Sequence, residues 1–151
     1  MKRGATVVIT LAASARLIIN VGLGERRQEM QRRFSVGIDF DGVLHQYDGD
    51  WQGHDVIPGG PVDGAIEWLT KIAQHFDVWI NSTRCATEAG CQAIREWLRH
   101  YELPVDTEDA ITISPDKKPC LIYVDDRGWR FDGKNFPSPE QIHAARPWWR
   151  S

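Results

Sequence analysis

The chain is predicted to fold as one α/β domain around a mostly parallel sheet with helices on its faces. Short alternating apolar runs take turns with amphipathic stretches of helical period. Acidic or hydroxyl residues follow directly where apolar runs end, and no repeat, low-complexity tract or linker interrupts residues 34–151. At 151 residues and 42% hydrophobic composition, the chain can bury one core and is too short for two.

Phe34, Val36, Ile38 and Phe40 alternate as a first strand that runs into Asp39, Asp41 and Gly42. Residues 43–60 are polar and turn-rich, with Tyr47-Asp48-Gly49-Asp50, Gly53 and Pro58-Gly59-Gly60, and read as a flap over the strand end. Pro61 suits a first helical position, and Val62, Ala65, Ile66, Leu69, Ile72, Ala73 and Phe76 trace one apolar face. Residues 77–82 form the second strand. Thr87 caps a second helix with the face Cys91, Ile94, Trp97, Leu98 and Tyr101, which Pro104 stops. The runs Ala110–Ile113 and Cys120–Val124 supply two more strands.

A net charge of −3 gives no global basic footprint, so a phosphorylated ligand has to be held by local charge. Cys85, Cys91 and Cys120 match neither zinc nor redox spacing; they read as plain thiols, which favours a reducing, cytoplasmic setting. Residues 1–33 are an extension outside the patterned domain. Its apolar stretch from Ala5 to Gly22 is broken by Arg16 and makes a poor membrane span. Ala13-Ser14-Ala15 behind a basic start resembles an export-signal cleavage site, and Met30 is an alternative start just before the domain.

Four groups fall at the carboxyl ends of the strands, where open parallel sheets bind ligands. They are Asp39-Phe40-Asp41-Gly42, Ser82-Thr83-Arg84, Lys117-Lys118 and Asp125-Asp126. Each alone is commonplace, since acids and hydroxyls favour turns anyway. Their order, each at a strand end, is informative.

In that order they resemble the four motifs of the haloacid dehalogenase (HAD) superfamily. The resemblance spans roughly 34–131, and the runs Ile38–Leu44 and Tyr123–Arg127 are most similar to small phage and bacterial members. It implies a Rossmann-like three-layer sandwich and a phosphohydrolase working through an aspartyl-phosphate. Asp39 is then the nucleophile, Asp41 the acid-base residue, Ser82 a phosphate hydrogen-bond donor and Lys117, or alternatively Lys118, the neutralising cation. Asp39, the main-chain carbonyl of Asp41, and Asp125 are the expected Mg²⁺ ligands, with Asp126, Thr83 and Gly42 near the site. The chemistry needs such a set. Uncatalysed monoester hydrolysis is so slow that enzymes accelerate it by up to about 10²¹-fold, and a carboxylate nucleophile, a proton donor and a cation must act together.

The segments 43–76 and 83–116 leave no room for a cap domain, and the resemblance to capless members then implies a large or protruding phosphate group or a second copy of the chain closing the site; the expected partner is a phosphorylated small molecule or the phosphorylated end of a larger molecule. A non-enzymatic phospho-acceptor or binding module, and a phosphotransferase to an alcohol, are the competing functions. Asp41 argues for turnover over a receiver. Trp51 reads first as cover for an apolar edge and second as a stacking platform; Trp148-Trp149 pin the tail. His45 is a loop residue or a substrate contact, and Arg84 and Arg127 either approach phosphate or form strand-end salt bridges.

Overall fold

In a computed structural model the described residues are 34–150, together with Ile9–Thr10 and Arg16–Leu17. The chain separates into two units, Met1–Arg32 and Arg33–Ser151. In the first, β1 (Ile9–Thr10) and β2 (Arg16–Leu17) pair antiparallel, Ile9 opposite Leu17. Ala13-Ser14-Ala15 and Met30 lie outside the described residues.

The second unit holds β3 (Ser35–Asp39), β4 (Asp77–Asn81), β5 (Ile111–Ser114) and β6 (Ile122–Val124). They form one all-parallel sheet in the order β5-β4-β3-β6. The strands are joined and followed by α1 (Ala65–His75), α2 (Glu88–His100), α3 (Val105–Glu108) and α4 (Pro139–Ala144). A parallel sheet needs crossovers, and α1 and α2 supply two of them. Asp39 at the end of β3 lies beside Asn81 at the end of β4.

One core joins Val36, Ile38, Val78, Ile80 and Ile113 of the sheet to Leu69 and Ala73 of α1 and Ile94, Trp97 and Leu98 of α2. Full burial of a side chain such as Leu69 or Ile94 stabilises by about 1.5–3 kcal/mol. Both crossovers step the same way along the sheet, from β3 to β4 to β5, so right-handed connections bring both helices to the same face. The opposite face carries Trp79 and Tyr123, and the β5–β6 connection lies against it. Trp79 Nε1 donates to the Asp116 carbonyl at 2.8 Å, and Lys118 Nζ lies 3.9 Å from the Trp79 ring centroid.

Three local expectations change. Pro61 is not the first residue of α1, because it bridges to His45 and the Val62 N–H donates to the Leu44 carbonyl at 2.9 Å. The helix starts only after Gly64, whose φ of 77° is left-handed. The strand through residue 82 ends one residue early, because Ser82 caps a 3₁₀ turn over Thr83–Ala86. Cys85 and Cys91 form a disulfide across the start of α2, leaving Cys120 as the free thiol, so plain thiols are the wrong reading for that pair. The predicted cap of α2 is present: Thr87 Oγ1 accepts from the Gly90 N–H at 3.1 Å. Only glycine fits at position 90, since a Cβ there would stand 1.9 Å from the Arg84 carbonyl oxygen. Among the described residues no helix is long and apolar enough to cross a membrane.

Candidate active site

β3 ends by turning sharply. The N–H groups of Leu44 and His45 both reach back to the Phe40 carbonyl, and Gly42 takes a φ of 87°. No larger residue fits there, because a Cβ on Gly42 would meet Asp126 Oδ2 at 2.4 Å and Trp149 Nε1 at 2.6 Å. This turn sends the Asp39 and Asp41 carboxylates into different surroundings.

Asp39 faces the acids that follow β6. Asp39, Asp125 and Asp126 each offer an oxygen, and these oxygens lie within 4.8 Å of one another. Burial first, and then repulsion from Asp125, Asp126 and Asp41, push Asp39 up to about 7 against the lowering effect of the Phe40 N–H, which donates to its Oδ1 at 2.7 Å. The Asp126 side chain is only 1% exposed. Its Oδ2 accepts from Trp149 Nε1 at 2.6 Å, while its Oδ1 is buried with no hydrogen-bond partner. An orphaned carboxylate oxygen beside two more carboxylates fits a hard cation, which prefers oxygen donors. The triad thus takes in Asp126, expected only near the site, and leaves out the Asp41 carboxylate.

Asp41 is held elsewhere. Arg84 Nε donates to both of its oxygens, at 3.0 and 2.8 Å, and Arg84 Nη2 donates to Oδ1 at 3.0 Å. His45 Nδ1 lies 2.8 Å from the same Oδ1. Burial acts to raise Asp41, but the hydrogen bonds and charges of His45 and Arg84 outweigh it and hold the carboxyl below its ordinary value. Arg84 is 0% exposed and also donates through Nη1 to the carbonyls of Gly53, His54 and Val56, at 3.0, 3.4 and 2.7 Å. The guanidinium therefore ties the predicted flap to the acid behind it. His45 is 1% exposed, with Nε2 bonded to the Pro58 carbonyl, so it is a buried link and not a substrate contact.

A cleft of about 310 Å³ opens above these groups, lined by Asp39, Asp41, Tyr47, Trp51, Thr83 and Arg127. Thr83, not Ser82, faces it. Ser82 is buried and its Oγ accepts from the Arg84 N–H at 3.2 Å. Strand alternation stops where the 3₁₀ turn begins, and the outward position passes to Thr83. The two lysines separate: Lys117 Nζ lies 4.0 Å from Asp125 Oδ2, whereas Lys118 turns to Trp79. Trp148 Nε1 donates to the Gly42 carbonyl at 2.7 Å, so the tail is fastened to both acidic turns.

The weakened acidity of Asp39 gives a stability prediction. An acid whose folded value exceeds its unfolded value of 3.8 binds more protons folded than unfolded between about pH 4 and 7, so stability falls as pH rises through that window. A divalent cation bound to the ionised triad would remove this penalty. In thermal melts of metal-stripped protein, the midpoint should drop from pH 4.5 to 7.5, and added Mg²⁺ should raise it more at pH 7.5 than at 4.5. Equal shifts at both values would detach the cation from the triad.

No family model matches the chain, and neither a curated protein nor a solved structure matches it.

Proposed function

We propose that this protein is a metal-dependent phosphoric monoester hydrolase of the HAD type, with Asp39 as nucleophile. The observation that carries the reading is the Asp39–Asp125–Asp126 triad with its orphaned Asp126 oxygen, set at the carboxyl ends of parallel strands under an open cleft. Asp39, Asp125 and Asp126 would hold Mg²⁺, joined by the main-chain carbonyl of Asp41. When bound, the cation offsets the repulsion between these carboxylates and a phosphate dianion.

The chain's own residues divide the chemistry. An Asp39 oxygen attacks phosphorus, the ester P–O bond breaks, and the leaving alcohol takes a proton; water then attacks the aspartyl-phosphate, gives up a proton and releases phosphate. Asp41 mediates both proton transfers. Its carboxylate faces His45 Nδ1, and His45 Nε2 faces the Pro58 carbonyl, so the ring ties Asp41 to the flap. Thr83 donates a hydrogen bond to a phosphoryl oxygen, while Arg127 in the cleft and Lys117 beside Asp125 balance the phosphoryl charge. Arg84 sets the Asp41 carboxylate and is a positioning residue.

The test is release of phosphate from an aryl phosphate by the full chain. Activity should require Mg²⁺ and vanish in chelator. Full activity in chelator, with metal analysis showing no bound ion, would remove the cation from the reaction. A stable phosphoryl-protein without turnover would instead make the chain a phospho-acceptor.

A further inference from the structure

Beside the catalytic cleft lies a second one of about 420 Å³, whose lining includes Asp126, Arg127, Trp129, Gln141, Arg146 and Arg150. Asp126 and Arg127 lie directly after β6, so this cleft begins at the edge of the candidate active site. Arg127 lines both clefts. A ligand with a phosphate at Asp39 that continues past Arg127 enters this second space.

The lining is unlike the rest of a chain whose net charge is −3. It brings three guanidinium groups together against one carboxylate, Asp126, whose Oδ2 accepts from Trp149 Nε1 and lies 3.9 Å from Arg127 Nε. Arg146 donates only to the carbonyls of His143 and Ala145, and among the described residues neither Arg146 nor Arg150 is paired with a carboxylate. Aromatic rings line both clefts. Trp129 is 53% exposed in the second cleft; Tyr47 and the 44% exposed Trp51 line the first. Trp51 is backed by the buried Arg84 guanidinium, 4.7 Å from its ring centroid, so its exposed surface is the side away from that group.

We propose that the paired clefts bind a short single-stranded oligonucleotide with its terminal phosphate at Asp39. Beyond Arg127, which stays with the terminal phosphate, Arg146 and Arg150 take backbone phosphates, and bases stack on Trp129 and Trp51. Guanidinium groups alternating with accessible aromatic faces suit a single strand, because every base has a π-face and every linkage a charge. A phosphopeptide would use the arginines and leave the aromatic faces idle. The inference deepens the hydrolase reading by naming its substrate class, and it depends on that reading for where the terminal phosphate sits.

The first arm compares kcat/KM for hexathymidylate phosphorylated at the 5′ or 3′ end, thymidine 5′-monophosphate, an aryl phosphate and an acidic phosphopeptide. On at least one end the hexamer should exceed the mononucleotide by about tenfold or more, the effect of a single stacked base. Trp129→Ala and Arg150→Gln should each lower the ratio of hexamer to aryl phosphate. Arg150→Gln is the cleaner charge variant, since Arg146 also fastens the carbonyls at the end of α4.

The second arm needs no turnover. Anisotropy of fluorescein-labelled hexathymidylate without a terminal phosphate should report binding that weakens with salt. The slope of log affinity against log salt should shrink by about 0.7 in Arg150→Gln, one phosphate contact on a single strand. Binding without hydrolysis of any substrate would overturn the hydrolase reading and leave the strand site standing. Hydrolysis with no preference for the hexamer and no salt-dependent binding would overturn the strand site. Equal or better turnover of the phosphopeptide would overturn the ligand class.

Discussion

Asp39→Asn should abolish phosphate release, by at least about four orders of magnitude, and leave no phosphoryl group on the protein after a brief acid quench. The amide keeps the side chain's shape and is a poor nucleophile, so the covalent step cannot begin. The same change should stabilise the metal-free protein at neutral pH. It removes the group whose ionisation is opposed by burial and by three neighbouring acids. Lost activity together with a raised melting midpoint is a signature that mere misfolding would not produce. Intact-mass measurement and peptide mapping of the parent should place the phosphoryl group on Asp39. Its appearance on Asp125 or Ser82, or undiminished labelling of Asp39→Asn, would sink the assignment.

Arg84→Met should cost about 3–5 kcal/mol, the usual consequence of stripping one partner from a buried ion pair. That is a large share of the roughly 5–15 kcal/mol that holds a domain together. Methionine fills much of the volume but leaves the Asp41 carboxylate with His45 alone, and the carbonyls of Gly53, His54 and Val56 without a donor. Arg84→Lys should recover little, since one ammonium cannot span a carboxylate and three carbonyls as a planar fork does. Denaturant melts give the magnitude, and hydrogen exchange gives the place: amides of residues 50–58 should lose protection before those of β3 and β4. A variant with the parent's melt and the parent's protection in the flap would show that Arg84 holds nothing there.

Asp41→Asn removes the proton-transfer group and also leaves a fully buried guanidinium facing a neutral amide. Its activity is therefore interpretable only beside its stability.

What the sequence determined by itself is local. Strand alternation with period two, and acids where the alternation stops, locate Asp39, Asp41, Asp125 and Asp126 at one edge of a parallel sheet. Thr87 as a helix cap is legible because the residues it bonds lie within three positions. Tertiary structure decided the rest, through pairings far apart in the chain. Arg84 meets Asp41 across 43 residues, Trp149 meets Asp126 across 23, and Trp148 meets Gly42 across 106. Pro61 is pulled out of its helix by pairing with His45, and Ser82 loses the cleft to Thr83 when the strand gives way to a 3₁₀ turn. Lys117 and Lys118 are indistinguishable as letters, yet one meets Asp125 and the other Trp79. Propensity and periodicity act over one turn or one strand, whereas the charge state and aim of a catalytic carboxylate depend on whichever distant groups the packed chain sets against it.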